Sequence, residues 1–378
     1  MTHTTEHSTA SAHSVRETHI EPRPAPVVSA GFGTWLRTHL FSTPVNSVIS
    51  LVLLYAVVRS LWAVFSWALL NANWMGDSSA VCTSGGACWP FISTRIGQLV
   101  YGFYPEAERW RVGLAFIFWL VSIVWVLVPR MPKRMVVVPV ALIAMPIINL
   151  ILLRGGLFGL EPVLTRQWGG LMLTLTIATI GMLFAIPLGV LLALGRQSKM
   201  PLLHGFCVVF IELWRGIPMI TVLFTASTIF PLFMPHGSAE GDKLLRALIG
   251  IVMFWSAYFA EVVRAGLQAV PNGQVEAGKA LCLGYWKRNA LIVLPQALKL
   301  VIPGLVSTAI QLFKDTSLVT IIGLFDFLGV IKTGLTDSAW MGYAAEGYAF
   351  AALVYWIFCF SMSRYSLWLE KRVDTGRR

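Results

Sequence analysis

Seven consecutive residues, Gly273, Gln274, Val275, Glu276, Ala277, Gly278 and Lys279, reproduce the opening of a phosphate-binding loop, Gly-x-x-x-x-Gly-Lys. The chemistry fails at the next position. Ala280 stands where a hydroxyl would hold magnesium, no strand pattern precedes the glycine, and the flanking segments are apolar enough to be membrane helices. Six other charges lie in or beside apolar segments: Glu212, Arg215, Glu261, Arg264, Lys314 and Asp315. A charge in such a place is costly and counts as a functional candidate, here for lining or gating a path through the membrane. A blander reading stands beside it. Glu261 and Arg264 are spaced i, i+3 and suit a local salt bridge, and Lys314 and Asp315 face different sides of a helix, where a structural pair serves as well as a substrate contact. The seven His residues fall mostly in the first 43 positions, and no Ser/His/Asp or metal-ligand constellation is present, so no catalytic site is expected.

Five cysteines divide by surroundings. Cys207, Cys282 and Cys359 are isolated in or near apolar helices, where a free thiol behaves as a small hydrophobe. Cys82 and Cys88 share a polar stretch with no His nearby, which favours a disulfide clip over a metal site if that stretch faces an oxidising compartment.

The elements that must position these residues are membrane helices. Of the 378 residues, 56% are hydrophobic and only 12% charged, which excludes an ordinary water-soluble globule. Apolar segments of about 20 residues recur, each long enough to cross a bilayer. They fall at about 44–69, 110–129, 135–153, 168–195, 202–233, 244–265, Leu291 to Lys314 and 344–366, giving eight crossings of an all-α polytopic protein. The fifth is interrupted near Glu212, Arg215, Gly216 and Pro218, and the first carries Arg59 in its middle, a side chain to be turned inward or snorkelled to an interface.

The net charge of +11 comes from basic residues between spans, so it reads as topology rather than nucleic-acid binding. Keeping Arg130, Lys133 and Arg134, the basic stretch after about 265, and both termini in the cytoplasm puts the loops at about 70–109, 154–167, 234–243 and 313–343 outside. The first 43 residues lack the apolar run of a signal peptide and read as a disordered cytoplasmic tail.

Within the cytoplasmic stretch, Pro271 and Asn272 suit a helix start, Gly273 to Leu283 reads as a short helix with Glu276 in its first turn, and Gly284 suits its end. Ala277, Gly278 and Ala280 form a small-residue face that lets a partner approach closely. An interfacial linker helix is the alternative.

At these residues the chain resembles the membrane-spanning subunits of ATP-binding-cassette importers for polar amino acids. The family's Glu-Ala-Ala-x-x-Leu-Gly loop, followed by Leu-Pro, is matched by Glu276, Ala277, Gly278, Lys279, Ala280, Leu281 and Cys282, then Leu294 and Pro295. Flanking blocks agree: Tyr258 to Pro271, Pro295 to Leu298, Lys314 to Leu318, and Glu212 to Pro218 against the family's Glu-Leu-Phe-Arg-Gly-Thr-Pro. The resemblance covers about 165–370. It departs at Gly278, in place of the second Ala, and at Cys282, in place of Gly, which makes the helix less stable and its turn less free.

The resemblance implies a type I importer permease core at 156–372, preceded by a three-span extension at 44–155 with a periplasmic loop, a tail at 1–43 and another at 373–378. The extension is similar to that of the larger permease subunits of bacterial general L-amino acid uptake systems. It further implies the bacterial inner membrane, a heterodimer with a second homologous permease, ABC ATPase subunits docked on Gly273 and Glu276 to Cys282, and a periplasmic amino-acid-binding protein. ATP and magnesium would be bound by the partner ATPase, and this chain would hold no cofactor. An ion-coupled secondary transporter is the competing function; it calls for paired repeats and midplane acids, and the sequence shows no repeat between its halves and few such acids.

Overall fold

The computed structural model describes residues 31–83, 85–127, 134–233 and 242–374. The first 30 residues of the expected tail, the basic turn apart from Arg134, residues 234–241 and the last four residues lie outside these. Among the described residues there are helices, turns and two isolated bridges, and no strand. The chain divides into two compact units, Met1–Ala68 and Leu69–Arg378.

In the first unit, α1 (Phe32–His39) is a helix inside the stretch expected to be a disordered tail. Its i, i+3 and i, i+4 spacing stacks Phe32 on Trp35 and Trp35 on His39, with ring centroids 6.5 and 5.1 Å apart. α2 (Pro44–Phe65) begins at Thr43, whose hydroxyl accepts from the Asn46 N–H at 3.2 Å, with Pro44 at the first helical position, where its missing N–H costs nothing. A π-helical turn, Ser66–Leu70, completes an apolar helix of 27 residues. Within its own unit no residue of α2 is buried, Arg59 included.

The second unit opens with a segment in which Cys82 and Cys88 are joined in a disulfide. Cys88 is fully buried and its N–H donates to Glu346 Oε1 at 3.0 Å, while Arg95 pairs with Asp337. α3 (Arg109–Leu127) and α4 (Arg134–Arg154) follow, over the segments expected at 110–129 and 135–153. After them come α5 (Gly170–Arg196), α6 (Pro201–Gly216), α7 (Met219–Phe224), α8 (Lys243–Ala269), α9 (Asn272–Ala280), α10 (Leu294–Leu300), α11 (Ile302–Asp315), α12 (Phe327–Leu335) and α13 (Ala344–Asp374).

Among the described residues five helices are long and apolar enough to cross a membrane: Pro44–Leu70, Gly170–Arg196, Lys243–Ala269, Ile302–Ile322 and Ala344–Arg372. Pro201–Gly216 with Met219–Phe233 makes a sixth if that pair is one span. The expectation of eight rests on α3 and α4 in addition.

Two expected helices take a different course. The one at 202–233 is bent by 101° between Gly216 and Met219. Pro218 forces this: the residue before a proline is driven out of helical geometry, and Ile217 is extended at φ −101°, ψ 135°. The helix expected from Leu291 to Lys314 is broken at Val301, because Pro303 removes an N–H that a continuous helix needs. The apolar span therefore starts at Ile302 and runs past Lys314 to Ile322, into residues expected to form an outer loop.

α5 and α8 form the most extensive helix pair, and Gly189 allows it: a Cβ there would lie 2.7 Å from Phe259 Cβ and 2.9 Å from the Ser256 carbonyl oxygen. Leu173, Ile177, Leu223, Ile251, Phe259 and Phe313 close the core around this contact.

Candidate functional site

α9 follows α8 after Val270 and Pro271, which are extended. Val275 packs on the cluster of Leu267, Val270, Val293 and Ala297, and Gln296 Nε2 donates to Gln274 Oε1 at 3.1 Å, so α9 is fastened to both the helix before it and the helix after it. It ends sooner than expected. The Leu283 N–H donates to the Gly278 carbonyl at 3.1 Å and the Cys282 N–H to the Lys279 carbonyl at 2.8 Å, with Cys282 left-handed at φ 53°. That pair of bonds is a Schellman stop, and its left-handed residue is the position at which the family pattern has Gly. Cys282 thus ends the helix, not Gly284, and holds a conformation that costs a residue with a Cβ roughly 1–2 kcal/mol. Since the helix begins at Asn272, Glu276 lies in its second turn, where the dipole effect has faded.

The small-residue face is also rearranged. Gly278 is buried under its own chain: a Cβ there would lie 2.7 Å from Arg288 Cγ and 2.9 Å from Cδ, and 3.4 Å from Ile292 Cδ1. Its lack of a side chain serves the packing of Arg288, not the approach of a partner. Of the residues expected to dock a partner, Gly273, Glu276, Ala277, Ala280, Leu281 and Cys282 are exposed, Leu281 to 71%.

Four of the charged candidates meet in one cluster, joined by a residue that sequence reading passed over. Arg196, the last residue of α5, had only a topological meaning in the sequence. In the structure its Nη1 lies 2.5 Å from Glu261 Oε1 and its Nη2 3.1 Å from Glu212 Oε1. Arg264 makes the expected i, i+3 pair, with Nη2 2.8 Å from Glu261 Oε2. Arg215 Nη1 stands 3.9 Å from both Glu212 Oε2 and Glu261 Oε2, under the ring of Tyr258 at 5.9 Å. Lys314 and Asp315 do not join this cluster; Lys314 is exposed, Asp315 half-buried, and neither makes an ion pair among the described residues.

Beside the cluster, the bend between α6 and α7 walls a cleft of about 330 Å³. Trp214, Ile217, Val222, Phe230 and Met253 make its lining almost wholly apolar, with Thr221 and Thr225 as hydroxyls. Arg246 closes one side, its Nε donating to the Ala226 carbonyl at 3.1 Å in the π-helical turn Thr225–Ile229.

Asp326 was also missed, because in sequence it is one polar residue in an expected loop. It is fully buried at the start of α12, accepting from Thr320 Oγ1 at 2.8 Å, the Gly329 N–H at 2.9 Å, the Tyr355 hydroxyl at 3.0 Å and the Leu328 N–H. Burial pushes its carboxyl above the usual range, against the pull of these bonds. The only sequence signal was an Asp just before an apolar run, a helix-cap pattern.

The architecture is that of a polytopic helical membrane protein carrying a short exposed helix between spans and a charge cluster beside a bent one. The family described as "Binding-protein-dependent transport system inner membrane component" matches residues 185–375, which include all five cluster residues and α9. The chain belongs to this family, as a non-catalytic inner-membrane component of a transport system. It is 53% identical over 356 residues to the inner membrane amino-acid ABC transporter permease protein YhdY of Escherichia coli (strain K12), covering 94% of this chain and 97% of that protein. It is 36% identical over 430 residues to the glutamate/glutamine/aspartate/asparagine transport system permease protein BztC of Rhodobacter capsulatus, covering 96% and 99%. The glutamate/aspartate import permease protein GltK of Escherichia coli O157:H7 is 34% identical over 215 residues, 56% of this chain and 95% of that protein. Those 215 residues nearly exhaust the shorter relative, so the rest of this chain has its counterpart in the longer ones.

Proposed function

We propose that this chain is one permease subunit of an ATP-driven importer of polar L-amino acids. It forms half of the translocation path with a second, homologous permease and receives substrate from a periplasmic amino-acid-binding protein. The names of its long relatives support the substrate class, and the observation that carries the coupling is α9, an exposed helix fastened to both the helix before it and the helix after it.

ATP and magnesium belong to the ATPase subunits; this chain supplies the mechanical connection. When the ATPases close on ATP, α9 moves with them. Because Val275 and the Gln274–Gln296 hydrogen bond fasten α9 to α8 and α10, the displacement passes to these helices as a unit rather than being lost in a loop. α8 packs along α5 and against the bend that walls the cleft, so a shift of α8 alters the cleft. In this reading both termini and α9 are cytoplasmic, and the disulfide-bearing segment and α12 face the periplasm.

The test is affinity purification of the tagged chain from its native membrane, followed by uptake of labelled polar amino acids in proteoliposomes. Copurification of an ABC ATPase and a second permease, with uptake dependent on internal ATP, is the expected result. Uptake that ignores vanadate and collapses with an uncoupler would replace this reading with an ion-coupled transporter.

A further inference from the structure

We infer that Arg215 is a two-position latch between the bend that walls the cleft and the helix that carries the ATPase-docking element, with Glu212 and Glu261 as its alternative partners. The inference rests on the coupling role proposed for α9.

The geometry of the charge cluster distinguishes Arg215 from its neighbours. Arg196 and Arg264 are committed: each holds Glu261 at hydrogen-bond length, at 2.5 and 2.8 Å. Arg215 is committed to nothing, standing 3.9 Å from a carboxylate oxygen of its own helix, Glu212 Oε2, and at the same distance from Glu261 Oε2 on α8. Both distances exceed a hydrogen bond, and a shift of about 1 Å toward either carboxylate would make one bond and lengthen the other contact. The Tyr258 ring of α8, 5.9 Å from the guanidinium, gives it a resting place.

The alternatives differ in consequence. Pairing with Glu212 is internal to α6 and leaves the bend independent of α8. Pairing with Glu261 ties the bend to α8 about 12 Å, or eight helical residues, from the end that leads into α9. Arg215 lies between Trp214 and Ile217, both in the wall of the cleft, so the latch sits where α6 ends and the wall begins. Three guanidinium groups face two carboxylates, so one cation is always short of a full partner, and the residue with the longest contacts is the one free to exchange. At 37% side-chain exposure Arg215 can move without being pulled from a packed core.

Glu261 also holds Arg196 and Arg264, so a purely structural cluster would lose more with Glu261 than with Glu212 but would slow import and hydrolysis together; a latch changes their ratio in Glu261→Gln and not in Glu212→Gln. The experiment uses the purified complex with its binding protein in proteoliposomes, measuring amino acid imported per ATP hydrolysed. In Glu261→Gln the bend is freed from α8, and the ratio falls at least fivefold while hydrolysis without substrate rises. In Glu212→Gln the bend stays tied, so import and hydrolysis slow together and the ratio holds within twofold. Arg215→Gln reproduces the Glu261→Gln loss, and Arg215→Lys recovers part of it; this pair decides the matter if Glu261→Gln does not assemble. A ratio unchanged in Arg215→Gln, or lowered equally by Glu212→Gln and Glu261→Gln, overturns the latch. A wild-type chain that brings no ATPase would instead overturn the importer reading, a separate outcome.

Discussion

Leu281 offers a direct reading of the docking surface. It follows the last helical residue of α9 and is 71% exposed, an apolar side chain held in the open by the Schellman stop around it. Fully burying a leucine contributes about 1.5–3 kcal/mol, so covering what this residue leaves exposed is worth about 1–2 kcal/mol. Leu281→Ala removes most of that and leaves the fold alone, since the backbone bond from Leu281 N–H to the Ala277 carbonyl is kept. At about 1.4 kcal/mol per factor of ten, the Kd for the ATPase should rise about 5- to 30-fold. The assay is titration of the permease pair in nanodiscs with the ATPase that copurifies with it. Met341, also 71% exposed but assigned to the opposite face, provides the control, and Met341→Ala should leave the Kd unchanged. An unaltered Kd in Leu281→Ala, or an equal loss in both variants, would refute the assignment of this helix to the ATPase.

Cys282→Gly should relieve the left-handed strain at φ 53° and slow amide exchange in α9, a gain of up to about 1 kcal/mol in local opening free energy; faster exchange would count against the Schellman stop. Asp326→Ala removes the cap of α12 and orphans its four donors, so thermal stability should drop by an amount equivalent to about 2–4 kcal/mol, with Asp326→Asn losing less. Cys82→Ser should cost about 2 kcal/mol locally, read as faster proteolysis of the disulfide-bearing segment, yet spare uptake, because the Cys88 N–H keeps its bond to Glu346. Asp337 is held below the usual carboxylate range by the Ala339 N–H and then by Arg95, so its contribution is present above its unfolded pKa and lost as pH falls through the folded one. Protease sensitivity of the segment that Arg95 and Asp337 join should therefore rise below about pH 4 in the wild type, and Asp337→Asn should lack that step.

Length and apolarity made the helices at 44–69, 168–195, 244–265 and 344–366 legible, because a run that long has few other homes. What one-dimensional reading could not supply was contact between distant residues. Gly278 looked like an open face, and only the side chain of Arg288 folding across it shows that the face is closed. Arg196 looked like a topology marker because its partners lie on two other helices. The bend at Ile217 was marked by Pro218, but a proline announces a break and not its angle. Pro303 lies inside a run that reads as continuously apolar, and the break it makes moves an entire span by about two to three turns. The departures at Gly278 and Cys282 did carry information in advance: the structure places one against Arg288 and the other in the left-handed stop.

The most direct measurement is import of a labelled polar L-amino acid into proteoliposomes holding the complete complex, with the binding protein on the substrate side and ATP on the opposite side. The account predicts import that requires ATP and the ATPase subunit, stops with vanadate and is unaffected by a protonophore. Import that proceeds without ATP and is abolished by the protonophore would contradict it.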